Sequence, residues 1–170
     1  MSVKRALSKL QSYSEELGLD LCKPEDRFKW FLASILFAKR ISAKPAKETY
    51  LCFEHEELTS SEAILDAGWD RLAKVLDSGG YTRYDFSTAT RLLGIAKTLK
   101  GKYGSLDKLH EISMDSSDLE SRLQEFVGVG PVCVNIFFER TERNLGKSRT
   151  KSFAYGCPDC TKNWPRSERR

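Results

Sequence analysis

Between Tyr84 and Lys100 the apolar residues Phe86, Ala89, Leu92, Leu93, Ala96 and Leu99 recur at intervals of three and four, and Gly101 and Gly104 close the run. At 3.6 residues per turn, that spacing puts them on one side of a long helix. The same period runs through Val3, Ala6, Leu7, Leu10, Tyr13 and Leu17 until Gly18 stops it. It returns in Phe28, Phe31, Leu32, Ile35 and Leu36, behind a Pro24 that suits a first helical turn and the acidic Glu25 and Asp26. Shorter helices are expected from about Lys44 to Phe53, from a Ser60 or Ser61 cap to Ala67, from Trp69 to Leu76, and around Leu106 to Ile112. Ser78-Gly79-Gly80 is a break. Ser117-Asp-Leu-Glu120 reads as a capping box before Leu119, Leu123 and Phe126. A last apolar helix runs from Val132 to Phe138. No segment alternates apolar and polar residues between hairpin turns, so the pattern predicts an all-α fold.

Composition narrows the class of protein. With 40% hydrophobic and 31% charged residues, the chain matches neither a disordered nor a membrane polypeptide. Its longest apolar run, Trp30 to Ala38, is broken by Ser34 and is too short to span a bilayer. Met1-Ser2-Val3-Lys4-Arg5 leads into an amphipathic pattern rather than a signal core, and an intracellular protein is expected, in cytoplasm, nucleoid or nucleus. Cysteines at 22, 52, 133, 157 and 160 are odd in number and scattered, which fits a reducing compartment. The net charge of +4 is uneven. Residues 139–170 carry nine Lys or Arg against four Asp or Glu, while the first 138 carry nineteen against twenty. A basic end of this kind suits contact with a polyanion, and it equally suits a solvated tail.

The most informative short motif is Gly128-Val129-Gly130-Pro131, between a capped apolar helix and a second apolar helix. Glycines there can take positive φ and let the backbone approach another surface. Val129 can plug the space between the helices. The first N–H groups of the second helix lack intrahelical partners and stand at the positive end of its dipole, which makes a phosphate site without a charged side chain. Pro131 presets the first turn. A plain turn between helices, with glycine at the C-cap, is the alternative.

With these residues in view, the sequence resembles the helix-hairpin-helix DNA glycosylase superfamily, particularly its endonuclease III-like members. The resemblance covers roughly Phe28 to Arg140. It rests on the apolar helix Phe28 to Lys39, the Gly79-Gly80-Tyr81 loop before the long helix, the stretch Lys102 to Leu109, and the hairpin Leu123 to Pro131, in that order. It implies a six-helix barrel-type domain with a helix-hairpin-helix motif, which kinks double-stranded DNA and extrudes a nucleotide for base excision. DNA-binding positions are then Gly128, Val129, Gly130 and Val132 at the hairpin, with Lys39, Arg40 and Tyr81 in the two loops whose family counterparts enter the gap left by the flipped base. Tyr81 could stack there, or pack on Trp69 as an ordinary loop aromatic. Lys39 and Arg40 could reach phosphates or base edges, or simply complement a helix end.

The departures bear on catalysis. Bifunctional members carry a lysine nucleophile where this chain has Val132, which cannot form a Schiff base. Monofunctional members keep an aspartate whose matching position falls near Thr150, and Asp159 is displaced from it. No catalytic residue is assigned. Of the four cysteines that hold an iron–sulfur cluster in many relatives, only the spacing of Cys157 and Cys160 corresponds, so neither a cluster nor a zinc site is expected, and no cofactor or metal is assigned. The resulting division is an N-terminal helix of an incomplete second subdomain over residues 1–23, a glycosylase-like domain over 24–140 and a basic tail over 141–170. A partner protein or a second copy would cover the N-terminal helix. The expected function is a DNA-binding, base-excision-type protein, weakly active or monofunctional. The alternatives are a non-catalytic helix-hairpin-helix DNA-binding module and a helical protein-interaction domain.

Overall fold

The computed structural model of the protein describes residues 13–21 and 23–143, with side chains as far as Phe138. The described residues form eight α-helices and no strand. They are α1 (Tyr13–Glu16), α2 (Pro24–Phe37), α3 (Ala43–His55), α4 (Ser61–Ser78), α5 (Asp85–Thr98), α6 (Leu106–Glu111), α7 (Ser116–Gln124) and α8 (Pro131–Arg143). A π-helical turn, Leu99–Tyr103, ends α5. None of the described helices is long and apolar enough to cross a membrane.

The second helix is the centre of the fold. Every residue from Trp30 to Leu36 is buried, Ser34 included. A helix covered on all sides must lie inside the layer of its neighbours. Here α3, α6 and α8 all pack against it. Ser34 is accommodated because its hydroxyl donates to Phe31 O at 2.7 Å. Against α8, Trp30 Nε1 donates to Phe137 O at 3.0 Å, and Ser34 Oγ lies 3.6 Å from Cys133 Sγ. The pairings 30 with 137 and 34 with 133 run in opposite directions, so the two helices are antiparallel. The start of α8 therefore lies at the same end as the finish of α2.

Helix ends follow local chemistry. Pro24 opens α2, and Ser60 caps α4 through a bond from Ala63 N at 3.1 Å. Gly68, at φ 71° and ψ 175°, bends α4 into the two pieces that the sequence predicts on either side of it. Two expectations need correction. The cap of α7 is Asp115 rather than Ser117. Asp115 Oδ1 accepts from Asp118 N at 2.8 Å, and Asp118 Oδ2 accepts in return from Met114 N at 2.9 Å. A carboxylate near the helix start also meets the positive dipole end, which a serine does not. Phe86 is not on the core side of α5: it is 62% exposed and lies against Trp69, with ring centroids 5.2 Å apart. It belongs to the first turn, ahead of the buried stripe Ala89, Leu92 and Ala96.

Of the N-terminal segment, Tyr13 stacks on Phe37 at 4.8 Å, Lys47 pairs with Glu16, and Leu19 and Leu21 enter the common core. The rest of the expected first helix, and whatever covers it, lie outside the described residues, as does the basic stretch from 144 onward.

Candidate nucleic-acid interface

The connection from α7 to α8 is built around one inward and several outward groups. Val129 is buried between the helices, only 4% exposed, while Val127, Gly128, Pro131 and Val132 are exposed. Gly128 has φ 89°, a conformation that L side chains rarely adopt. Gly130 does not need positive φ, and a Cβ added there would meet nothing within 4 Å. Its role is open space rather than backbone freedom.

The hydrogen bonds of this turn are incomplete among the described residues. Val129 N donates to Phe126 O at 3.0 Å, and Gly130 O accepts from Val134 N at 3.1 Å, closing the first turn of α8. The N–H groups of Gly128, Gly130 and Val132 have no acceptor among the described residues. Exposed donors at a helix start attract an anion both as hydrogen-bond partners and through the helix dipole.

A cation lies directly beside them, and sequence reasoning missed it. Arg91 of α5 packs across Gly128 so closely that a Cβ at Gly128 would fall 2.5 Å from Arg91 Cδ and 2.9 Å from Nε. Arg91 is half-buried and forms no ion pair among the described residues. Nothing local could have revealed it, because the contact spans 37 positions of sequence. The one carboxylate in the turn is already neutralised. Glu125 accepts from Tyr103 Oη at 2.9 Å and pairs with Lys102, and these partners, Lys102 first, hold its carboxyl below the usual range.

The sequence-predicted loop residues do gather at this end, with one correction. Leu36 O, at the close of α2, accepts from Lys39 N at 3.5 Å and from Tyr81 Oη at 2.7 Å. The Lys39–Arg40 turn and the Gly80–Tyr81 loop therefore meet where α2 finishes, the end at which α8 begins. Arg40 is exposed and Lys39 half-buried. Tyr81, however, is 1% exposed, with its ring in the core and its hydroxyl committed to Leu36. Burial pushes its phenol above the usual range, so it stays neutral. It is a pin between helices and has no free face to stack in DNA; nor does it pack on Trp69. The half-buried aromatic of that loop is Tyr84, with the Arg83 guanidinium 5.9 Å from its ring centroid. Seven residues separate Tyr84 from Arg91 on α5, two helical turns or about 10 Å. Arg83 and Arg91 thus extend the basic character from Arg40 towards the hairpin.

The chemistry for bond breaking is sparse here. Val132 presents an exposed apolar side chain beside the hairpin. Cys133 is buried, and burial pushes its thiol up to about 11, so it is neither ionised nor nucleophilic near neutrality. No cluster of three or more His, Cys, Asp or Glu is arranged to hold a metal among the described residues. Thr150, Cys157, Asp159 and Cys160 lie outside them.

Comparison with protein-family models, with curated proteins and with solved structures gives no match to this chain.

Proposed function

We propose that this chain binds the phosphate backbone of double-stranded DNA through the Gly128–Val132 turn, as a divergent, base-excision-type relative of the helix-hairpin-helix glycosylases. The observation that carries the reading is the turn's N–H groups without acceptors among the described residues, with the Arg91 guanidinium beside Gly128. Peptide amides contribute directed donors and Arg91 contributes charge, a combination suited to a phosphate diester. Arg40, Arg83 and Lys39, at the same end, would follow the backbone on either side. On this reading residues 24–140 form a six-helix barrel-type domain in which α7 and α8 are the helix-hairpin-helix pair.

Within this reading, Val132 favours a non-catalytic or monofunctional protein over a lyase, since a valine offers no amine to the sugar. If the protein does excise a base, the step is cleavage of the N-glycosidic bond by water, with no catalytic residue assigned.

Binding of the full chain to a short duplex at increasing salt tests the proposal. Affinity should fall linearly in log–log form, with about 0.9 of slope per neutralised phosphate. Absence of binding at low salt would refute it. Incubation with duplexes carrying uracil, oxidised or alkylated bases then separates enzyme from module: free base released well above background marks a glycosylase. Borohydride should trap no covalent adduct at Val132.

A further inference from the structure

The π-helical turn that ends α5 carries a second cation to the base of the hairpin, where a carboxylate holds it. In that turn Tyr103 is buried, with its ring 6.1 Å from the ring of Phe126. Gly104 N closes the turn on Leu99 O at 2.8 Å. Turns of this kind are rare, and this one anchors its last side chains against the chain that leads into the hairpin. Phe126 O accepts from Val129 N at 3.0 Å. Next to Phe126, Glu125 accepts from Tyr103 Oη at 2.9 Å and pairs with Lys102. Lys102 Nζ also lies 5.1 Å from the centroid of the Tyr103 ring.

The pair is open to solvent: the Lys102 side chain is 53% exposed and that of Glu125 47%. An exposed ion pair adds little to folding, so either partner can be changed with the fold intact. Its influence on an approaching anion is larger. Glu125 stands three residues before Gly128. Three residues of chain span at most about 10 Å, which is about one Debye length at 0.1 M salt. The neighbouring Arg122 is committed to Asp118 at 3.0 Å. Lys102 is thus the cation that Glu125 withholds. A carboxylate and a phosphate compete for one ammonium, and in the free protein the carboxylate has it.

We propose that Glu125 restrains the affinity of the hairpin by holding Lys102 away from the phosphate backbone, so that loss of the Glu125 charge makes Lys102 a further phosphate ligand. The inference rests on the DNA reading of the hairpin. It adds to that site a residue that lowers affinity, set beside the Arg91 that raises it.

The test measures binding of the full chain to a short duplex at several salt concentrations, with circular dichroism to confirm folding. Glu125→Gln keeps an acceptor for Tyr103 Oη and removes the charge. At low salt it should bind about threefold to fivefold more tightly than the parent, with a salt slope steeper by about 1. Adding Lys102→Met should abolish both gains. Glu62→Gln is the control for net charge. It frees Lys100, which lies 3.9 Å from Glu62 and two residues before Lys102, and its duplex affinity should stay within about twofold of the parent. A parent that binds the duplex with Glu125→Gln no tighter would overturn this inference alone. An equal gain in Glu62→Gln, or a gain that survives Lys102→Met, would also overturn it, since neither requires Lys102. Absence of duplex binding by the parent and Glu125→Gln alike would refute the phosphate reading, and this inference with it.

Discussion

Two glycine-bearing turns in this protein look alike in sequence and differ in what they leave open. Ser78-Gly79-Gly80-Tyr81 joins α4 to α5, and Gly128-Val129-Gly130-Pro131 joins α7 to α8. In the first, the N–H groups of Gly79, Gly80 and Tyr81 all have acceptors. Tyr81 N donates to Leu76 O and Gly80 N to Asp77 O, both at 2.9 Å, with Gly80 at φ 86°, which is a Schellman closure. Thr49 Oγ1 donates to Gly79 O at 3.1 Å, and Tyr81 Oη reaches Leu36 O. In the second, Gly128 follows the α7 cap Glu125 by three residues, no such closure forms, and the N–H groups of Gly128, Gly130 and Val132 have no acceptor among the described residues. Satisfied donors hold a fold together, whereas exposed unsatisfied ones are available to a ligand. Hydrogen-bond accounting, more than glycine content, separates the two turns.

The largest expected effect is at Gly79. A Cβ there would lie 2.4 Å from both Cα and Oγ1 of Thr49, a backbone clash that α3 cannot relieve by a rotamer change. Gly79→Ala should destabilise the protein by about 3 kcal/mol or more, read by urea denaturation, while Gly130→Ala should stay within about 0.5 kcal/mol of the parent. Equal losses at the two positions would erase the distinction. Next, Tyr81→Phe removes the phenol from Leu36 O and should cost about 1–2 kcal/mol of stability, with duplex affinity unchanged. A selective loss of DNA binding in that variant would restore Tyr81 to the interface. Arg91→Ala should do the reverse, weakening duplex binding about threefold to tenfold and lowering the salt slope by about 1, with stability within about 1 kcal/mol of the parent. The smallest effect is a control on turn chemistry. Glu57 follows α3 in the left-handed region at φ 58°, where Leu58 N and Glu57 N close the helix as Tyr81 N and Gly80 N close α4. Glu57→Gly should raise stability by about 1 kcal/mol, measured in the same denaturation series.

Much of the fold was legible because helices are written locally. Pro24 and Ser60 act where the sequence suggests, and Gly68 interrupts α4 between two separately periodic pieces. Local reading failed where a remote neighbour decides the outcome. Tyr81 is buried by α2, 45 positions earlier, and Arg91 meets Gly128 only because α5 passes the hairpin. Phe86 fits the helical period of its stripe, yet the first turn of α5 extends beyond the core that Ala89 and Leu92 fill. Asp115 went unnoticed as a cap because Ser117 and Glu120 match the familiar spacing two residues later, although Asp115 and Asp118 make the bonds. For the candidate site, the hairpin and the Lys39–Arg40 turn could be named from sequence. The cation beside the hairpin required the packed structure.

The central claim, that exposed backbone amides at the α7–α8 turn hold a phosphate, is tested most directly by Gly130→Leu. Open space around Gly130 should let the variant fold with unchanged helical circular dichroism, while the side chain stands over the amide row. At low salt, its affinity for a duplex should fall at least about tenfold, roughly 1.4 kcal/mol. A correctly folded Gly130→Leu protein that binds the duplex as tightly as the parent would contradict the account.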